Sequence, residues 1–352
     1  MSPGARRYDE SDVRTRPNPR GTRPRTKQRP EHEDAVRALV TGVDRGRYAL
    51  LVHPDSADER VAIAMKAREL GRERVVCGDI VDVVGDTSGR AGSLSRIVRI
   101  TDRTTVLRRT ADDTDPVERV IVANAHQLVI VTALADPEPR TRMIDRCVVA
   151  AYDAGMDALL CLTKADLADP SELVAMYRPI GVDVVVTSRA PSATGGPVSI
   201  TGLDDVRERL VGRTSVLVGH SGVGKSTLVN ELVPLAYRAT GVVNDVTGRG
   251  RHTSSSAVAL RLPDRSGWVI DTPGVRSFGL AHVQVESLLA AFGDLAQVTT
   301  DRCPRGCTHA ADAPDCALDE WVAEAPADEH DPRAARVDSM RRLLFARTSD
   351  PV

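Results

Sequence analysis

The chain has 352 residues, with 47 basic and 49 acidic side chains, a formal net charge of −2, 41% hydrophobic residues and only 3% aromatics. This is more chain than one small domain needs and enough apolar content for two or more cores. It carries no 18-residue apolar span and no long apolar leader core, so neither a membrane segment nor secretion is expected, and the cytoplasm is the expected location.

The first 30 residues hold nine basic and three acidic side chains, a local charge of +6 that leaves −8 for the remainder. With several prolines and no apolar periodicity, residues 1–34 read as a disordered basic tail. Such a tail is suited to nucleic-acid phosphates, with a steep salt dependence, or serves as a solubilising extension. Residues 35–112 contain short β-type runs at Arg47 to Val52, Val61 to Met65, Asp79 to Val84 and Leu94 to Ile100. Their regular spacing predicts a small barrel, of which an OB-fold is one solution and an SH3-like barrel another. Aromatics are scarce there, so Arg74, Arg90, Arg96, Arg99 and Arg103 are expected to meet phosphates rather than stacked bases.

Residues 113–282 alternate strand and helix patterns, which predicts a parallel sheet covered on both faces. The apolar run Asp157 to Leu162 ends in Thr163-Lys164-Ala165-Asp166, and the run Asp183 to Val186 ends in Thr187-Ser188. A carboxylate at Asp166 accepts two hydrogen bonds from the N1 and N2 side of guanine, which adenine does not offer. Taken alone, Asp166 is equally a helix N-cap; Ser188, a small polar residue at the end of its strand, marks a candidate guanine-backing loop. Next comes a strand, Ser215 to Val218, followed by Gly219-His220-Ser221-Gly222-Val223-Gly224-Lys225-Ser226-Thr227. This G-x-x-x-x-G-K-[ST] run opens a helix, the context in which backbone N–H groups and the helix dipole cradle a polyphosphate. Lys225 is expected at the β/γ-phosphates and Ser226 on Mg²⁺. Of only four lysines in the chain (Lys27, Lys66, Lys164 and Lys225), two fall inside these motifs, where a compact ammonium is suited to phosphate oxygens.

Gly248-Arg249-Gly250-Arg251-His252-Thr253 follows, glycine-rich, with Thr253 placed to close on Mg²⁺ and the γ-phosphate. The strand Trp268 to Ile270 then ends in Asp271-Thr272-Pro273-Gly274, a D-x-x-G in which Asp271 is expected to hold a Mg²⁺-bound water and Gly274 to meet the γ-phosphate. The guanine-type motif thus precedes the phosphate loop, the reverse of the usual GTPase order. That reversal implies a circular permutation.

In residues 283–352, Cys303, Cys307, His309 and Cys316 lie within 14 positions. Three thiols and one imidazole predict a closed, four-coordinate structural Zn²⁺ site. The remaining cysteines, Cys77, Cys147 and Cys161, are scattered singly and read as inert core residues, which disfavours a disulfide framework. A helix is expected near Arg333 to Ala346.

The order T-K-A-D, V-T-S, G-H-S-G-V-G-K-S-T, G-R-G-R-H-T, D-T-P-G, then a Cys/His cluster, resembles the bacterial small-ribosomal-subunit-dependent GTPase family RsgA/YjeQ over roughly residues 37 to 345. The resemblance implies an OB-fold, a permuted GTPase and a helical zinc domain in that order. It also implies a cytoplasmic protein, expected to be a monomer, that binds GTP and GDP and associates with the small ribosomal subunit and its rRNA during late maturation. The spacing C-x₃-C-x-H-x₆-C departs from the family's C-x₄-C-x-H-x₅-C by one residue in each gap. Val275 stands where a Ras-type enzyme has a water-orienting glutamine, and the resemblance points to His252 for that role. Two other readings compete. One is a nucleotide-gated rRNA-binding scaffold in which hydrolysis is incidental, and the other is an ATP-using kinase, which Asp166 argues against.

Overall fold

The computed structural model describes residues 32–109, 119–190, 199–234, 257–272, 278–280 and 282–348. The chain divides into residues 1–33 and 34–352, and the architecture below is that of the second. Strands β1 (Val36–Asp44), β2 (Arg47–Val52), β3 (Arg60–Lys66), β4 (Ile80–Gly85) and β5 (Ser95–Ile100) pair in the order β1-β2-β3-β5-β4. β4 then returns to β1, with Val36 opposite Val83 and Ala38 opposite Val81. This closes an OB-like barrel without free edges. Alternate residues point inward, including Ala38, Val40, Leu50, Val52, Ala62, Ala64, Val81, Val83 and Ile97. Four of the five strands match the runs legible in the sequence. β1 is not among those runs, because the apolar Leu39 on its outward phase and a bulge at Val40/Gly42 blur its alternation. One arginine expected to meet phosphate is instead engaged inside the protein. Arg103 donates Nε to Asp79 Oδ1 (2.7 Å) and an Nη to Asp79 Oδ2 (2.8 Å), pairing a carboxylate that is fully buried.

A hairpin of β6 (Val106–Arg109) and β7 (Arg119–Ala123) leads from the barrel into the second layer. There, β8 (Gln127–Ala133), β9 (Asp157–Thr163), β10 (Asp183–Val186), β13 (Thr214–Gly219) and β15 (Trp268–Asp271) form a parallel sheet in the order β10-β9-β8-β13-β15. β11 (Ser188–Ala190) and β12 (Ser199–Thr201) pair separately. Helices α1 (Thr141–Asp153) and α2 (Ser171–Tyr177) cover one face, while α3 (Leu203–Leu210) and α4 (Lys225–Leu232) cover the other. The strands divide between the two cores with period two. On β8, Leu128 and Ile130 face the first, while Val129 and Val131 face the second; on β13, Val216 and Val218 oppose Leu217.

The C-terminal helices α5 (Val285–Ala290), α6 (Gly293–Arg302), α7 (Ala317–Ala323) and α8 (His330–Thr348) share the first of these cores. Phe278, Phe292, Leu295, Leu318, Met340 and Leu343 are buried in it together with Ile144, Val148 and Leu160. Burial pushes the thiols of Cys77, Cys147 and Cys161 up to about 12, as inert core residues require.

Barrel and parallel sheet are joined at two seams. Strand β14 (Val258–Arg261) runs antiparallel beside β15 and, through Val258 opposite Gly42, pairs with β1 of the barrel. At its far end an Arg261 Nη lies 2.7 and 2.8 Å from the two Glu59 carboxylate oxygens, Arg261 also meets Asp55, and its guanidinium stacks over Trp268 at 4.9 Å. At the second seam Gly78 donates its N–H to Val40 O (2.9 Å), and its carbonyl accepts from Asn124 Nδ2 (2.9 Å). With φ +88° and Ala123 O only 2.1 Å from where a Cβ would sit, that position admits glycine alone.

The Arg261 guanidinium holds the Glu59 carboxyl below the usual glutamate range. A depressed pKa contributes stability that is present above the unfolded value, about 4.3, and is lost as pH falls through the lower folded value. Glu59→Gln is expected to cost about 1 kcal/mol at neutral pH, with the cost vanishing in acid. Urea midpoints of the two proteins across a pH series check this, and a difference that persists unchanged into acid would refute it.

Candidate functional site

The C-terminal ends of the parallel strands converge on one rim, as open α/β sheets arrange them. Strand β13, between β8 and β15, delivers the loop Gly219 to Gly224 to the N-terminus of α4. Gly224 caps that helix with φ +92°, and Gly222 also has positive φ, at +84°. A Cβ on Gly219 would stand 2.7 Å from Val131 O, so the neighbouring strand leaves room only for glycine. The turn therefore aims successive N–H groups, and the helix dipole, at the rim.

Strand β15 beside β13, and β9 beyond β8, complete the site. Asp271 ends β15, and Lys225 Nζ reaches its carboxylate, so the phosphate-loop lysine and the D-x-x-G aspartate address the same space. Thr272 Oγ1 donates to Leu217 O at 2.8 Å, locking the start of D-x-x-G to β13. On the other side β9 ends at Thr163, whose buried hydroxyl donates to Val223 O at 2.6 Å and so fastens the T-K-A-D turn to the phosphate loop. Lys164 takes a left-handed φ of 59° and its Nζ meets Asp136 O. Thr187, after β10, accepts from Ala165 N–H (3.1 Å), bracing the same turn from behind. Asp166 is exposed and accepts the Arg189 N–H at 3.1 Å.

The result is a cavity of about 560 Å³ lined by Thr163, Lys164, Ser188, Gly219, His220, Ser221, Gly222, Gly224, Lys225, Ser226, Thr227 and Asp271. Most of the nucleotide residues expected from the sequence are thus brought together. Asp166, exposed, is not part of the lining, and Val223 is buried. Thr253, His252 and Gly274 lie outside the described residues. Four further lining residues, Thr187, Arg189, Ile200 and Leu228, are not among those expected from the sequence. Thr187 is legible as half of the Thr-Ser pair. Arg189 and Ile200 sit on the three-residue strands β11 and β12, too short to leave a periodic signal.

A second constellation lies between α6 and α7. One ligand atom each from Cys303, Cys307, His309 and Cys316 falls within 4.8 Å of the others, the arrangement a tetrahedral metal requires. All three thiols are free rather than disulfide-bonded. Burial foremost, with the adjacent Cys316 and Cys307, pushes the Cys303 thiol up to about 11. Burial, with Arg341 adding, lowers His309 and favours the neutral imidazole that ligates. The donor set fits a metal that stabilises thiolates. His309 O accepts from Arg341 Nε of α8 at 3.2 Å, which ties the cluster to the C-terminal helix.

A phosphate loop on an interior strand of a parallel sheet, with the guanine-type turns arriving earlier in the chain and D-x-x-G later, defines a circularly permuted P-loop GTPase. The RsgA GTPase family model matches residues 100–281, and the chain belongs to that family. It is 37% identical over 272 residues to the small ribosomal subunit biogenesis GTPase RsgA of Pseudomonas syringae pv. tomato, covering 74% of this chain and 73% of that protein. A match of 37% over 237 residues to the Ectopseudomonas mendocina protein of the same name spans 65% of this chain and 64% of that protein's length. Two solved structures share the fold. They are YjeQ from Thermotoga maritima (TM-score 0.59, 23% identity, 87% of this chain and 98% of that one) and YloQ, a circularly permuted GTPase (TM-score 0.57, 22% identity, 88% and 96%).

Thr163→Val removes the donor to Val223 O and leaves a buried carbonyl unpaired, at a cost of about 1–2 kcal/mol. A roughly tenfold rise in the GDP dissociation constant is expected. Titration with a fluorescent GDP analogue measures it, and an unchanged constant would remove Thr163 from the site.

Proposed function

We propose that the protein hydrolyses GTP to GDP and phosphate while bound to the small ribosomal subunit, assists that subunit's late maturation, and is stimulated by it. The observation that carries this reading is the cavity in which the ends of β9, β10, β13 and β15 meet. The names of the Pseudomonas and Vibrio relatives, small ribosomal subunit biogenesis GTPases, support the partner.

In this reading the N–H groups of Gly219 to Thr227 and the Lys225 ammonium hold the β/γ-phosphates. Asp166, backed by Ser188, reads guanine. Ser226, Thr253 and Asp271, directly or through water, are the residues that would hold Mg²⁺, which neutralises the charge developing on the phosphates. The Gly274 N–H meets the γ-phosphate. The Val275 side chain cannot hydrogen-bond to water, so His252 is the group that orients the nucleophile in the subunit-bound protein. Cys303, Cys307, His309 and Cys316 hold one structural Zn²⁺ that fixes the loop between α6 and α7. The basic tail of residues 1–34 and the barrel supply rRNA phosphate contacts, and the protein acts in the cytoplasm as a monomer.

Multiple-turnover GTP hydrolysis with and without purified small subunits tests the function. Stimulation of at least about tenfold is expected, with ATP a poor substrate. No stimulation would favour a scaffold instead. His252→Ala should lower the stimulated rate by about 100-fold with little change in GDP affinity; full stimulated turnover would move that role to another group. Treatment with a zinc chelator should release one metal per chain and lower the thermal midpoint, whereas no metal released on unfolding would count against the site.

A further inference from the structure

Helix α1 is buried almost throughout, from Met143 to Ala151, and two adjacent charged residues lie in it, Asp145 (3% exposed) and Arg146 (4% exposed). A charged pair inside an otherwise apolar helix is costly unless each group is fully engaged. The two point to different places. Asp145 accepts from Tyr177 Oη (2.9 Å) and from Arg342 Nε of α8 (3.1 Å). Arg146 donates Nε to Phe278 O at 2.9 Å and an Nη to Ala346 O at 3.2 Å.

Those two carbonyls belong to the two parts of the molecule that the proposed function must connect. Phe278 is fully buried and lies four positions after Gly274, where the chain emerges from D-x-x-G. Ala346 lies in the last turn of α8, where a cation complements the helix dipole. The same helix holds the Cys/His loop through Arg341 and His309 O. A guanidinium has donors in a rigid planar fork, so one side chain can hold two carbonyls at fixed separation, which an ammonium does not do.

We infer that Arg146 is a positioning residue for GTP hydrolysis: it clamps the exit of D-x-x-G to the end of α8, so that the phosphate-responsive segment and the helical module bearing the Cys/His cluster move as one body. The inference rests on the proposed subunit-stimulated GTPase and names the route by which engagement of that module reaches the switch. Arg146 touches no reacting atom; it acts through the Phe278 and Ala346 carbonyls.

The test uses the full chain as purified and compares Arg146→Gln with Arg342→Gln, which loosens α8 from Asp145 without touching Phe278. Arg146→Gln is expected to lower the ratio of subunit-stimulated to basal hydrolysis about tenfold, and Arg342→Gln less than about twofold. Arg146→Lys serves as the second variant if the glutamine form does not fold, with the same loss expected. Hydrogen exchange gives the readout that loss of stability alone would not move. In the parent, the last turn of α8 should differ in protection between a non-hydrolysable GTP analogue and GDP, and that difference should disappear in the Arg146 variants while it persists at residues 278–280. Retained stimulation, a retained α8 difference in the variants, no α8 difference in the parent, or losses in both variants that follow their thermal midpoints would each overturn the inference. If the parent shows no stimulation by the subunit, the proposed function fails, and the exchange comparison still decides the clamp.

Discussion

The parallel pairing of β10-β9-β8-β13-β15 is the constraint on which the site depends. Parallel strands end on the same side of a sheet, so residues separated by more than a hundred positions in the chain, Thr163 and Asp271, reach one rim because their strands flank β13 and its neighbour β8. The sheet remains in register because both faces are buried and each strand alternates between two cores, so a one-residue slip would turn every core side chain to the wrong side. Hydrogen bonds then tighten the rim locally. Thr163 and Thr272 each clamp a turn to the phosphate-loop strand or its loop from opposite sides.

Permutation alters what the sheet is attached to. The antiparallel strand β14 would leave an open edge, and the barrel covers it through β1. β14 also begins just after the segment containing His252 and Thr253, and its Val258 pairs with Asp271 on one side and Gly42 on the other. A single rung of backbone therefore runs from the barrel to the D-x-x-G aspartate. Because the permuted chain leaves the sheet at D-x-x-G, the helical module begins where a phosphate-dependent movement would end. That module shares an apolar core with α1, and its ion pairs, Arg336 with Asp294 and Arg342 with Asp145, lock α8 across it. Barrel and helical module thus both attach at or beyond the Asp271 end of β15.

Much of this is legible in the residues. The phosphate loop, T-K-A-D and D-x-x-G can be placed because each follows an apolar run at a spacing that only one backbone shape satisfies, and glycines are forced at Gly219, Gly222 and Gly224 by close approach or positive φ. The Cys/His cluster can be placed because its four donors are close in sequence, and the one-residue shift in its gaps still brings the ligand atoms within 4.8 Å. Arg189 and Ile200 cannot, since short paired segments carry no period. Arg103 is misassigned from sequence because the composition of a basic surface does not reveal that Asp79 is buried and needs a partner.

Local chemistry is therefore written in the chain: motifs, strand and helix periods and the metal-ligand set depend on residues close in sequence, and the reversed order is read directly from where the motifs fall. The long-range pairings are not. Which strand edge the barrel covers, that α8 packs on α1, and that Arg146 joins Phe278 to Ala346 depend on surfaces that exist only once the sheet has formed. A buried arginine looks the same in sequence as a solvated one, and burial is a property of the assembled core.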